Sequence, residues 1–422
     1  MLKIKSLPYL IFILLLVISF RDVLATPGIV GHTWDWGIPN FPEQIRDKFT
    51  ANLYTWDSFL DTGRFHYFKL ELLYSLFLLP FSFMGGELVS KIFPMVLLFI
   101  AGCTMFKLSR DMFGLSPFFA ALSGAFYMLS PVTYSKLIAG HLPMIWAYSI
   151  LPVFVFALLK ILRILHTEHR LSGRHVVLGG LTLGMEWVHP SFGLGSMVIF
   201  SSIFLIGLIR IQQKGRLCAA AAVVIAIFVL LNSFWIVPFI KDRISTSALR
   251  HGWGLSAAKN KEVTVESELP LREAYLKSTS QPVLSALSME IRMGMDTEYV
   301  YPSPVPRLWI LSSIAIALLS FASFLITKKL EVHALVVTGI LGITLVSALK
   351  TLVGVFIYQV LFKNFVPIVY EALSNSCRAL PLVVISYAVL APYSLSRLHA
   401  TPDQLSLACV SRCWPRSHSY NG

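Results

Sequence analysis

Four aspartates, Asp35, Asp47, Asp57 and Asp61, stand in GHTWDWGIPNFPEQIRDKFTANLYTWDSFLDTGRFHYF, residues 31–68, with three tryptophans and with His32, Arg64 and His66. A carboxylate can take the proton from an attacking hydroxyl. Asp35 is the first acid of this segment. It lies between Trp34 and Trp36, whose rings can stack on a sugar or shield the carboxylate. Asp57 follows Trp56 and precedes Asp61 by four residues, so on a helix the two acids would share a face and bind an acceptor or a metal. Asp35 and Asp57 are the carboxylates a Mg²⁺ or Mn²⁺ ion would use. Arg64 and His66 would contact phosphate or sugar. The plainer alternatives are an interfacial aromatic belt around a solvated Asp35, and helix capping by Asp57 and Asp61.

A second set is dispersed along the chain. Tyr134, Lys136 and His141 fall in PVTYSKLIAGHLP, residues 131–143. Cations there can hold a phosphate, or merely touch lipid headgroups. Glu186 and His189 stand near the end of a short apolar run, and ionisable groups at membrane depth mark function by default. Arg378 opens the last apolar run and would be either a phosphate ligand or a snorkelling anchor.

The elements that must carry these residues are membrane spans. The chain has 422 residues, of which 56% are hydrophobic and 14% charged. Its mean hydropathy is +0.70. Soluble domains carry about 25% charge, and many runs here reach the length of a transmembrane helix. The runs are continuous rather than alternating, which excludes a β-barrel. The fold class expected is an all-α polytopic membrane protein.

Loop charges give one threading of about ten spans. They are expected near 6–25, 88–106, 117–130, 144–162, 176–188, 192–209, 217–240, 308–327, 332–348 and 379–396. The run at 70–84 reads as a surface helix. Lys3, Lys5, Lys107, Arg110, the 160–175 segment, 210–216, Lys328, Lys329 and Arg397 would all face the cytoplasm, with both termini. Segments 26–87, 131–143, 241–307 and 350–377 then form outer loops of one transmembrane domain, residues 1–397. Residues 398–422 read as a polar, disordered cytoplasmic tail. The first twenty residues resemble a signal peptide, but the expectation is a retained helix.

The net charge of +13 is explained by cytoplasmic anchors and anionic lipid, not by nucleic acid. The five cysteines show no zinc-type pairing. No G-x-G-x-x-G or Walker loop is present, so no nucleotide cofactor is expected.

Several segments together resemble the GT-C superfamily of integral-membrane glycosyltransferases, in particular arabinofuranosyltransferase-like and related prokaryotic membrane proteins. They are GHTWDWGIPNF, YTWDSFLDTGRF, MFKLSRDMFGLSP, FYMLSPVTYSKLIAGHLPMIWAYSILP, NSFWIVPFI and FVPIVYEALSNSCRALPLVV, spread over residues 5–397. The resemblance implies a GT-C-like bundle in the cell membrane. It implies transfer of a sugar from a polyprenyl-phosphate donor to a glycan, lipid or protein acceptor on the outer face, with Asp35 as base. Two other classes remain open: a transporter or flippase of lipid-linked saccharide, with ionisable groups spread through mid-span, and a non-catalytic membrane protein of polysaccharide assembly.

Overall fold

The computed structural model describes residues 6–30, 41–53, 56–57, 64–65, 71–244, 273–274, 276–280, 283–287, 289, 306–366, 369–370, 373 and 375–399, with backbone alone at 56–57, 64–65, 239–244, 306–310 and 377. Their regular secondary structure is helical apart from one antiparallel pair, β1 Trp56–Asp57 with β2 Arg64–Phe65. Among the described residues, six helices are long and apolar enough to cross a membrane, five of them as expected from the apolar runs. They are α5 (Gly86–Phe113), α8 (Leu142–Thr167), α10 (Pro190–Arg210), α11 (Lys214–Leu231), α15 (Leu330–Ser347, with the turn to Lys350) and α17 (Leu380–Leu398). The sixth, α11, is the expected 217–240 span cut short: the helix stops at Leu231, and α12 (Ser233–Ile244) starts beyond Asn232.

Other expected spans appear as further helices, most of them shorter. α1 (Leu7–Ser19) breaks at Phe20, before the exposed Arg21–Asp22 pair and the five-residue α2 (Arg21–Ala25). α6 (Pro117–Met128) has 12 residues and α9 (Gly173–Glu186) has 14. α14 (Pro306–Ile326) carries the run near 308–327. The expected surface helix appears as α4 (Leu72–Leu78) with a 3₁₀ turn to Phe81. Short helices also occur where loops were expected, at α3 (Pro42–Leu53), α7 (Pro131–Ile138), α13 (Val283–Leu287) and α16 (Leu352–Phe365). The tail beyond residue 399 lies outside the described residues.

α17 is the central post. Leu380 through Pro392 are all buried, against α6, α14 and α15. α5 packs on α6 and α8, and α8 on α9. Leu230, Leu318, Leu325 and Leu352 are all more than two-thirds exposed, on the rim of the bundle. Apolar side chains so placed are at home against lipid tails.

α9 owes its close seat on α11 to glycine. A Cβ on Gly180 would stand 2.6 Å from Cβ of Ile227, and one on Gly184 2.5 Å from Cδ2 of Leu231. Asn232 then closes the end of α9. Its Nδ2 donates to the Gly184 carbonyl at 3.2 Å, one of the last four carbonyls that a helix leaves unbonded. Its Oδ1 accepts from Trp235 Nε1 at 2.8 Å, and Trp235 stacks on Trp187 just past α9. This is the physical content of NSFWIVPFI: a polar latch inside an apolar run.

The helices alternate in direction, so two ends can be distinguished. α6 and α9 finish, and α5, α8, α10 and α17 begin, at one of them; we call it the His141 end. α5, α8, α10 and α14 finish at the other, the basic end, where Lys107, Arg110, Arg170, Arg174, Lys214 and Lys328 lie on helix termini and turns. The two ends of α8 stand about 39 Å apart by helical rise.

Candidate functional site

At the His141 end four chain segments bring basic side chains together. The first is α7, which sequence reasoning took for loop. Ser130 caps it, accepting from Thr133 N at 3.3 Å, and Pro131 occupies its first turn, where a missing N–H costs nothing. Beneath it Tyr127 and Tyr148 stack face to face, ring centroids 4.0 Å apart. Each hydroxyl donates to the other's carbonyl, at 2.8 and 2.9 Å. Ser130 Oγ lies 3.0 Å from the Tyr148 hydroxyl, so the cap and the stack form one buried network. The arrangement fixes α7 and with it Lys136, which is only 5% exposed.

Gly140, at φ +72°, turns the chain back after α7, and His141 N donates to the Lys136 carbonyl at 2.9 Å. A positive φ is natural for glycine and strained for most other residues. His141 then leads into α8. Tyr134 is exposed and two positions from Lys136, so it does not share that residue's buried face.

Glu186 and His189 arrive from the α9–α10 turn. Arg378 arrives from the 3₁₀ turn Ser376–Ala379 that opens α17. This turn is anchored to residues 276–280: Ser376 N donates to Thr279 Oγ1 at 3.3 Å, and Ser376 Oγ donates to the Thr279 carbonyl. His189 lies in the field of Arg378, Lys136 and His141. Burial foremost, and those cations after it, push its pKa down to about 3. His189 is therefore neutral at physiological pH, a hydrogen-bonding ring beside fixed positive charge.

Glu186 is fully buried, and neither of its oxygens has a hydrogen-bond partner among the described residues. Ser196 of α10 lies within its reach without hydrogen-bond geometry. Trp187 Nε1, His189 Nδ1 and Ser196 Oγ are likewise buried and unbonded among the described residues. Five such atoms thus fall within residues 186–196. Buried polar groups are nearly always bonded, and each exception calls for a reason.

The acidic segment starts at the same end. After α2 the chain is pinned to the head of α5: Gly28 N donates to Glu87 Oε1 at 3.0 Å and Val30 N to Ser90 Oγ at 3.1 Å. Lys91 Nζ donates to the Thr26 carbonyl at 2.6 Å and pairs with Glu87 at 2.7 Å. Further on, α3 docks on α4, with Asn52 Nδ2 donating to Ser75 Oγ at 2.6 Å and Lys48 paired with Glu71 at 3.0 Å.

Of the expected acidic-segment site, Trp34, Asp35, Asp61 and His66 lie outside the described residues, and Trp56, Asp57 and Arg64 have described backbone only. Asp57 is in a strand, directly opposite Arg64 in register. The helix considered for Asp57 is corrected to this strand, with Arg64 as its cross-strand partner, while Asp61 lies outside the described residues. No three His, Cys, Asp or Glu gather into a metal-binding group among the described residues.

The roles that sequence reasoning missed are those of Tyr127, Tyr148 and Ser130 in fixing α7, which carries Lys136, and of Asn232 in closing the end of α9 at Gly184. Ser130–Pro131 was a readable helix start. The chain matches no known family, no curated protein and no solved structure.

Proposed function

We propose that the chain is a membrane glycosyltransferase that takes a sugar from a polyprenyl-phosphate donor at the His141 end. The observation that carries the reading is the convergence of Lys136, His141, His189 and Arg378 from separate segments, beside the unbonded polar atoms of residues 186–196. Fixed cations suit a phosphate leaving group, whose charge grows as the bond to the sugar breaks. Unpaired donors and acceptors suit sugar hydroxyls.

The acceptor oxygen attacks the anomeric carbon and Asp35 takes its proton. The anomeric C–O bond to phosphate breaks, and its electron pair leaves on a phosphate oxygen beside Lys136 and Arg378. His189, neutral, donates or accepts a hydrogen bond at donor or sugar. The resemblance to GT-C enzymes in GHTWDWGIPNF and in the segments around Lys136, Asn232 and Arg378 points the same way. So does the anchoring of residues 26–30 on α5, which starts the acidic segment at this end. In this reading the His141 end faces outward, and the basic end and both termini face the cytoplasm, as loop charge requires. Acceptors are envelope glycans, lipids or proteins.

Buried Glu186 favours a second reading, translocation of a lipid-linked saccharide, because transporters keep ionisable groups inside the bundle. One experiment separates the two. Membranes carrying wild type, Asp35→Asn and Arg378→Gln are given radiolabelled polyprenyl-phosphate sugars, and sugar on acceptor is counted. Transfer lost in both variants at constant protein level supports the enzyme. Labelled lipid that crosses the bilayer in all three, with nothing transferred, overturns it.

A further inference from the structure

The basic end holds a cavity of about 580 Å³, open to the surface. Its walls come from the ends of α5, α8 and α10 and from the turn between α14 and α15. Arg163, Arg210, Lys328 and Lys329 line it against Asp111 and Glu331, four fixed positive charges against two negative, with His166 in addition.

The charges are not equivalent. Arg163 is structural: its Nε donates to Glu331 at 2.6 Å and its Nη atoms to the Asp111 and Met112 carbonyls, the unbonded end of α5. This consumes Glu331, the one buried acid of the wall. Lys329 lies over the Tyr393 ring, 5.6 Å from its centroid. Arg210, Lys328 and His166 have no ion-pair partner among the described residues and remain exposed. An Arg–Glu pair and a cation–aromatic contact thus brace the walls, and the Arg210 and Lys328 cations are exposed without such bracing among the described residues.

Beside those free cations the surface is apolar. Ile209, next to Arg210, is 78% exposed, and Leu325, just before Lys328, is 85% exposed. Positive charge around a recess, with bare hydrocarbon beside it, is the complement of a molecule with an anionic head and apolar tails. A simple set of cytoplasmic anchors would need neither the recess nor the internal bracing. Pockets of this size bind small ligands, and basic pockets between spans bind anionic lipid heads.

We propose that this cavity binds the phosphate of an anionic phospholipid, with Arg210 and Lys328 on the headgroup and the acyl chains on α10 and α14. The site is independent of the sugar-transfer reading. Inorganic phosphate shares the ligand chemistry, so the test separates the two sources.

The full chain is purified in neutral detergent and titrated with phosphatidylglycerol or phosphatidylcholine, and bound lipid is read by native mass spectrometry. Wild type should retain phosphatidylglycerol preferentially. The double variant Arg210→Gln/Lys328→Gln, altered only at exposed and unpaired positions, should bind it on the order of tenfold more weakly. Arg174→Gln/Lys214→Gln removes two exposed charges of the same end that do not line the cavity, and should bind as wild type does. Equal binding by wild type and the cavity variant overturns the proposal. So does an equal loss in the Arg174/Lys214 variant, which would mean diffuse surface charge. Displacement of the lipid by millimolar inorganic phosphate overturns the lipid as the source.

Discussion

The two ends of this bundle use positive charge in opposite ways. At the His141 end Lys136 is buried to 5% exposure, and a stacked tyrosine pair with a serine cap holds its helix. At the basic end Arg210 and Lys328 stand exposed in the lining of an open cavity. Burying a cation costs far more than exposing one, so the first arrangement persists only where surrounding structure enforces it. The second leaves its charges in water and needs no such enforcement. In the functions proposed for the two ends, the buried and enforced charge serves chemistry and the exposed charge serves attraction.

The largest effect that would sharpen this contrast is on transfer. Asp35→Asn should lower it by about 10²–10⁴-fold, the usual loss on removing a general base. Lys136→Gln should lower it by roughly tenfold to a hundredfold through weaker hold on the phosphate. Arg210→Gln/Lys328→Gln should leave the transfer rate unchanged in the same assay. A rate that falls equally in the last two variants would erase the distinction between the ends.

Stability effects come next. Gly180→Leu forces a side chain into Ile227 and should cost about 1–3 kcal/mol, visible as a lower unfolding temperature in detergent. Asn232→Ala removes the acceptor of the Trp235 indole N–H and the closure of α9, for a loss of about 1–3 kcal/mol. Its unfolding temperature should drop with no change in lipid binding at the basic end.

A further effect is one of pH. The pKa of His189 is about 3 in the folded chain, against roughly 6.5 when free. The unfolded state therefore binds the extra proton first, and stability falls as pH drops from about 6.5 towards 3. His189→Gln should flatten that part of the unfolding-temperature profile. A profile unchanged by the substitution would mean that His189 is not held neutral by its surroundings.

The sequence was most readable where hydrocarbon dictates structure. The runs at 332–348 and 379–396 became Leu330–Ser347 and Leu380–Leu398 almost residue for residue. α8 runs past the expected Leu162 to Thr167, because backbone bonds carry a helix beyond the apolar stretch. Composition could not show the break at Asn232, since its reason is a carbonyl on α9. α7 was hidden by polar residues, although Ser130–Pro131 announced its start. Nor could spacing show that Lys136 and Arg378 share a site, because only the packing of α17 in the centre brings those distant segments together. The basic cavity escaped for a different reason: each lining residue read alone is a normal cytoplasmic anchor.

α6 and α9 are about 18 and 21 Å long by helical rise, against a hydrocarbon core of about 30 Å, and both finish at the His141 end. A bilayer meeting such a short flank is expected to thin rather than expose helix ends to its core. The membrane would dip there, and water would follow the dip toward Glu186. The polyprenyl-linked donor proposed above would then settle its phosphate at the depth of Lys136 without drawing its isoprenoid chain out of the lipid.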